Sequence, residues 1–474
     1  MTDQAVAEAK ARPKILVFCR PYLIADFRKN LEVVADEFAF DFLTDGKCKG
    51  TRDTRAIFYA ALKTDEKSSE LTEHDLEEVT ARCRLLRNID QAQARRLAHA
   101  MAITLASELT ESAPHAVLSH WVDEYVTHLL SLLAAKRGIM YLGYAYSYFP
   151  GKAQLIQYAY GKAFIVRKPD AAEVDAVYEA VSQRAYRQNY LQPAKYTRAQ
   201  HVKYMLRYRI KRLIFWAKGR LESDPWHLHY AITPFIVDRR RLSDYPSKSD
   251  FVKNWQDRLS AEKERRPGVS VVYFPLAYFP ESAIDYWVQD RRILGYEALM
   301  LEAIKHLSQH MIVVVKEHLH MLGARNPRFY EALNALPDVI SVHPSEYSND
   351  VLAASDAVLL GGGSVGLEAS LREKPIVSYC PTSFWFEASG ASAIDLGDTG
   401  NWHRVIASAI ASHTPMSDAE KRDFIRKCLQ STVQQRGQGN RWLLIAKEDL
   451  SEMLNLALAL TKLPADKPSL GNGT

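Results

Sequence analysis

The chain has 474 residues, 47% of them apolar and 25% charged, with a formal net charge of +5. That is the make-up of a globular protein with room for two to four domains. Ordinary glycine and proline contents (21 and 20) exclude collagen-like and low-complexity chains, and so small a charge does not by itself imply nucleic acid.

The longest apolar runs, such as Val269–Pro280, fall short of the ~18 residues a membrane span needs. Residues 1–13 are polar and Ala-rich, with no apolar core for a signal peptide. Five scattered cysteines, odd in number and never spaced CxxC, argue against a disulfide framework or structural zinc and favour a reducing, cytoplasmic compartment.

The first expected element is a strand, Lys14–Cys19. A helix over Asp26–Asp36 and a strand over Phe38–Leu43 follow. Leu76, Val79, Cys83 and Leu86, then Leu97, Met101 and Leu105, recur at helical spacing and predict helix over 68–112. Ala116–Ser119 reads as a strand, Val122–Arg137 as a helix stopped by Gly138, and Ile139–Ala145 as a strand. Residues 170–265 are helical in pattern, basic and rich in Tyr and Trp, with no clear strand.

A second alternating block begins with a strand at Val269–Phe274 and a helix at Tyr286–Ser308. It continues with strands at Met311–Lys316, Val339–Val342, Ala357–Leu360 and Pro375–Tyr379. Helices at Arg328–Ala335, Asn349–Ala354 and Val365–Arg372 separate them. Ser417-Asp-Ala-Glu420 is a capping box that opens one closing helix, and Asn440 caps another that runs to about Leu460. The predicted division is a Rossmann-like domain (13–169), a basic helical connector (170–265), a second Rossmann-like domain (266–412), closing helices (413–462) and a disordered tail (463–474). Two such domains predict a cleft at the carboxyl ends of their strands.

Four segments could carry chemistry there. In Leu359-Leu-Gly-Gly-Gly-Ser-Val-Gly-Leu-Glu-Ala369 a strand runs through Gly361, Gly362 and Gly363 to Ser364 and a helix. Glycines admit a ligand close to the backbone, and helix-start N–H groups suit a phosphate. The plain alternative is a tight turn capped by its serine. No Gly-Lys-Ser/Thr follows, so this is no Walker A loop. Second, Val313-Val-Val-Lys-Glu-His318 delivers Lys316, Glu317 and His318 at a strand end, either for a diphosphate or simply as a solvated end. His318 and His320 lack a third ligand and the chain has no Asp-x-Asp, so no metal is expected. Third, two prolines in Tyr273-Phe-Pro-Leu-Ala-Tyr-Phe-Pro-Glu281 hold Glu281 near the cleft. Fourth, His120, Asp123 and Glu124 follow a first-domain strand and are candidate general bases; the two acids serve equally well as first-turn helix charges.

Between Lys195 and Arg220 lie nine Lys/Arg and no Asp/Glu, interleaved with Tyr196, Tyr204, Tyr208, Phe215 and Trp216. Such a segment suits the inner-membrane surface, an acidic glycan, or a solvated face of a packed helix; nucleic acid is not the expected partner.

Phe274-Pro-Leu…Pro280-Glu281, Lys316-Glu-His318, Gly361-Gly-Gly-Ser-Val-Gly-Leu-Glu-Ala369 and Lys374-Pro-Ile-Val resemble, in that order, the capsule polysaccharide biosynthesis proteins of the Kdo-transferase-like GT-B group. They are distantly similar to bacterial sialyltransferases, which use CMP-sugars. The resemblance covers roughly 268–380. It implies nucleotide and phosphate contacts for His318 and Ser364, a nucleotide-sugar donor (CMP-Kdo or another CMP-sugar first, UDP- or GDP-sugars next), a glycan or glycolipid acceptor and no cofactor. Two departures are Leu319 where the family has Pro, and Gly361-Gly-Gly-Ser where it has Thr-Gly-Thr/Ser.

The expectation is a metal-independent GT-B glycosyltransferase building a bacterial surface polysaccharide, cytoplasmic or peripheral at the inner membrane. A nucleotide-sugar 2-epimerase shares the architecture, but the loop lacks the epimerases' adjacent acid pair. A non-catalytic glycan- or membrane-binding module is the alternative of another class. For catalysis the expected base is Asp123, with His120 and Glu124 behind it.

Overall fold

The computed structural model describes residues 12–183, 186, 198–221, 226, 251–322, 324–436 and 444–461. Two separate sheets organise the chain. The first has the order β14-β6-β5-β4-β1-β2-β3, with β7 paired to β6. Its strands are β1 (Lys14–Phe18), β2 (Ala39–Thr44), β3 (Arg52–Asp53), β4 (Ala116–His120), β5 (Met140–Tyr146), β6 (Lys152–Gln157), β7 (Lys162–Ala163) and β14 (Thr432–Gln434). The second is wholly parallel, in the order β10-β9-β8-β11-β12-β13. It comprises β8 (Val271–Pro275), β9 (Ile312–Lys316), β10 (Val339–Val342), β11 (Ala357–Leu360), β12 (Ile376–Ser378) and β13 (Ser392–Ala393).

The apolar runs read as strands are buried on both faces, as a helix-covered parallel sheet requires. In β1, Leu16 and Phe18 join one core with the helices Gln91–Ser112 and Tyr125–Lys136. Ile15 and Val17 face the other, with Phe27, Leu454 and Ala457. The second sheet alternates likewise: Val313 and Val315 pack with Met300 and Leu307, while Ile312 and Val314 pack with Leu352 and Leu367.

The expected α/β, GT-B-like architecture is what the chain adopts: two Rossmann-like domains across a cleft, a helical insert, and closing helices. The helix Asp418–Leu429 opens on the Ser417 capping box and packs on the second domain through Phe424 and Ile425. The chain then returns to the first domain, adding β14 antiparallel to β6 and laying Leu450, Met453 and Leu454 of the helix Lys447–Thr461 on the first sheet.

Several details differ from expectation. The helical stretch 68–112 is two helices, Glu73–Arg82 and Gln91–Ser112, broken at Cys83–Asp90 where Asp90 caps the second. A further helix, Arg55–Thr64, has Phe58 and Ala61 buried; its apolar residues run unbroken from Ala56 to Leu62, so no helical period marks it in sequence. Tyr286–Ser308 is helical only from Tyr296, because Asp290 caps a short 3-10 turn before it. β6 and β14 were unforeseen. The tail 463–474 and the Asn440 cap lie outside the described residues.

Candidate active site

Parallel pairing puts the carboxyl ends of β8, β9, β10 and β11 on one edge. That edge forms a cleft of about 100 Å³, lined among others by Lys316, His318, Tyr347, Ser364 and Glu368. The strand-end motifs β9–His318 and β11–Ser364 therefore meet. A broader depression of about 510 Å³ lies at the opposite, amino-end edge of the same sheet, around Ser270, Asp356 and Lys374. There Lys374 is tied to the Ser355 carbonyl at 2.7 Å.

Glu317 and Arg325 form the rigid base of the cleft. Both are buried, and the guanidinium donates to the carboxylate from Nε (2.5 Å) and Nη2 (3.0 Å). Tyr330 Oη donates to Glu317 at 2.9 Å and the His318 backbone N–H at 2.6 Å. Arg325 Nη2 also donates to the Ala277 carbonyl at 2.9 Å, joining the exits of β8 and β9. Glu317 is thus taken up by protein partners and serves to position the loop.

His318 is partly exposed and stacks on Tyr278 with ring centroids 5.7 Å apart. Desolvation, with His320, Lys316 and Arg325 nearby, lowers its pKa to about 3, so the ring is neutral near pH 7. Nδ1 accepts the His320 N–H at 3.2 Å, which leaves the proton on Nε2 as a donor.

The glycines divide by what they touch. A Cβ on Gly361 would lie 2.6 Å from the Tyr379 ring, and one on Gly366 would run into Trp385. Both are glycine because aromatic rings press on the backbone. Gly363 alone of the three consecutive glycines opens on space. Trp385 Nε1 donates to the Gly363 carbonyl, and Tyr148 Oη, from the first domain, donates to that of Gly362, each at 3.1 Å. The helix that follows, Val365–Leu371, has only seven residues. The cleft's polarity therefore comes from side chains: Lys316, His318 and Ser364, beside the carboxylates of Glu346 and Glu368 and the amide of Asn349. Ser364 Oγ donates to Glu368 at 3.3 Å and does not cap the helix.

Across the cleft, Arg20 and Asp45 lie just past the ends of β1 and β2, and His120 ends β4. Buried Arg20 pairs with Asp45 and reaches Asp123 Oδ1 at 3.4 Å. His120 Nε2 lies 3.2 Å and Thr127 Oγ1 3.4 Å from the same oxygen. Burial pushes the Asp123 pKa up, but His120 and Arg20 outweigh it and hold the carboxyl well below the usual range. Glu124 is buried as N-cap of the helix Tyr125–Lys136, so both acids precede that helix and neither is in its first turn.

The two edges meet at a seam that sequence reading missed. Trp121 Nε1 donates to Ser282 Oγ at 3.1 Å. Arg82, fully buried, donates to the carbonyls of Asp285 (2.9 Å), Val288 (2.8 Å) and Gln289. Arg84 donates to the Asp123 carbonyl at 2.7 Å, and Arg87 to Asp285 at 2.7 Å. Glu281 accepts the Ala283 N–H at 2.8 Å. Its pKa is raised by burial, with Asp285 and Asp123 adding repulsion against the opposing pull of Ala283 N–H and Arg84. Arg20 could have been found by the logic applied to His318, since it too lies two residues past a strand. Arg82 and Arg84 sit in a helical stretch with no motif.

Among the described residues, no three His, Cys, Asp or Glu gather into a metal-holding group. No helix there is long and apolar enough to cross a membrane.

No family model matches the chain, and neither does any curated protein. Solved structures of similar layout include Staphylococcus aureus MnaA with UDP, at 13% identity and TM-score 0.28 over 96% of this chain and 99% of that one. The Neisseria meningitidis UDP-GlcNAc 2-epimerase bound to UDP-GlcNAc stands at 12% and 0.23, over 94% and 100%. The N-terminal domain of Candida albicans trehalose-6-phosphate phosphatase stands at 10% and 0.32, over 96% and 98%. Superpositions this loose carry no argument about function, and the fold is read from the strand topology itself.

Proposed function

We propose that the chain is an enzyme acting on a nucleotide-activated sugar, whose phosphates sit against Lys316, His318 and Ser364. The observation that supports it is the convergence of a cation, a neutral imidazole donor and a hydroxyl at one strand-end cleft beside the bare backbone of Gly363. Within that reading the chemistry is glycosyl transfer from a CMP-sugar to a glycan or glycolipid of a bacterial surface polysaccharide. An acceptor oxygen attacks the anomeric carbon and the bond to the phosphate oxygen breaks. The electron pair stays on the phosphate, where Lys316 and Ser364 stabilise it, and the acceptor's proton passes to the first-domain edge. Asp123 is the candidate there: Oδ1 holds His120, Arg20 and Thr127, and none of those bonds uses Oδ2.

One observation favours 2-epimerisation as a second reading. Asp123 and Glu281 are two carboxyls whose surroundings push their pKa values apart, an arrangement that suits an ionised base with a proton-carrying acid and needs no acceptor. Incubation with CMP-, UDP- and GDP-sugars in D2O, with and without a glycan acceptor, separates the readings. Transfer releases nucleotide only when acceptor is present. Epimerisation places deuterium on the sugar without it. Neither product from any donor, with no binding, would overturn the proposal.

A further inference from the structure

The helix Arg198–Leu221 carries eight Lys/Arg and no Asp/Glu over its 24 residues. It is about 36 Å long at 1.5 Å per residue. His201 and Met205 are buried, and Tyr208 and Phe215 half-buried, on one side. The other side leaves large apolar groups in solvent: Leu206 (50% exposed), Ile210 (58%), Leu213 (69%), Ile214 (51%) and Leu221 (84%). At ~100° per residue these five fall within about 100° of arc. Arg207, Lys211 and Lys218 flank the stripe on one shoulder; Arg198, Arg209 and Arg220 flank it on the other, and Arg212 lies further round. Lys203 falls inside the arc near its N-terminal end, where a long stem lets the ammonium reach outward. Trp216 is 63% exposed on the second shoulder, with the Arg220 guanidinium 5.4 Å over its ring.

We propose that this helix lies in the interface of an anionic phospholipid bilayer, with the stripe sunk to the acyl boundary and the two rows of cations on headgroup phosphates. Cations on both shoulders of an apolar stripe, with a tryptophan at headgroup depth, are what an interfacial helix needs. Nucleic acid would use the charge but leave the stripe in water. A second copy meeting this face would bring eight cations against eight with no carboxylate between them. The inference does not depend on the nucleotide-sugar reading, since the helix contributes no residue to the cleft described above.

The test is flotation of the full chain with vesicles of phosphatidylcholine alone or with one quarter phosphatidylglycerol. Binding is expected only to the second kind and should fall steeply with salt. Arg198→Gln/Arg209→Gln/Arg220→Gln should weaken it roughly a hundredfold, at about fivefold per cation. Leu206→Gln/Ile210→Gln/Leu213→Gln should weaken it at least tenfold, by order of magnitude. All six positions are exposed, so an unchanged melting temperature checks the fold of each variant. Equal binding to both vesicle types, undiminished binding of the apolar triple variant, a dimer that the apolar variant dissolves, or duplex DNA bound as tightly as vesicles would each overturn the proposal.

Discussion

Asp123 meets three donors on one carboxylate oxygen, and that decides what it can do. Held ionised by them, it accepts a hydrogen bond from the incoming hydroxyl and takes its proton as the oxygen bonds to the anomeric carbon, when that proton has become strongly acidic. Asp123→Asn keeps the shape and should lower turnover by about 100-fold or more while leaving donor affinity intact; single-turnover assays beside calorimetry check both. Glu281 sits at the other extreme. A carboxyl with a raised pKa keeps its proton to higher pH, so if it acts as an acid, the rate falls as pH rises through that pKa. Glu281→Gln should abolish this alkaline limb, and a pH–rate profile unchanged in the variant would remove Glu281 from the chemistry. His128 offers a stability test. It is fully buried, its ring nitrogens have no hydrogen-bond partner among the described residues, and burial, with Arg82 nearby, lowers its pKa to about 3. The unfolded chain takes up a proton below ~6.5 that the folded one refuses, so stability falls as pH drops from there towards 3. His128→Phe keeps the edge-to-face contact with Tyr286 and should flatten the fall in melting temperature between pH 7 and 4.5.

The strand-end loops depend on pairs that must stay complete. Arg325→Met would leave the Glu317 carboxylate buried without its cation, at a cost of about 3–5 kcal/mol in urea unfolding. The glycine loop makes a finer contrast. Gly361→Ala drives a methyl into Tyr379 and should cost about 1–3 kcal/mol, whereas Gly363→Ala meets nothing and should leave stability within about 0.5 kcal/mol. Motifs made this element legible in sequence: β9 with Lys316 and β11 with Ser364 are short apolar runs ending in polar residues, and parallel pairing brings them together. What those motifs could not reveal was which glycine faces a ligand and which faces a ring, because Tyr379 and Trp385 lie 18 and 19 residues further on. Nor could they reveal Arg325, whose partners Ala277 and Glu317 belong to two other strand exits.

At the scale of the molecule, hydrophobic periodicity predicted both sheets. What escaped was structure made by distant pairing. β14 has three residues and earns its place only because Thr432–Gln434 lies against Lys152–Gln154. The domain seam likewise rests on Arg82 donating to carbonyls more than 200 residues away. This seam fixes how the two strand edges face each other, and in the proposed function a nucleotide-sugar spans them from a phosphate seat on the second domain. Calorimetric titration of CMP-, UDP- and GDP-sugars into the wild-type chain and into Ser364→Ala and Lys316→Ala tests it most directly. Saturable one-to-one binding of one donor class is expected. Ser364→Ala should weaken it by about 1–2 kcal/mol, the scale of one hydrogen bond to a charged group, and Lys316→Ala by at least as much. No binding of any donor, or a wild-type affinity undiminished in both variants, would contradict it.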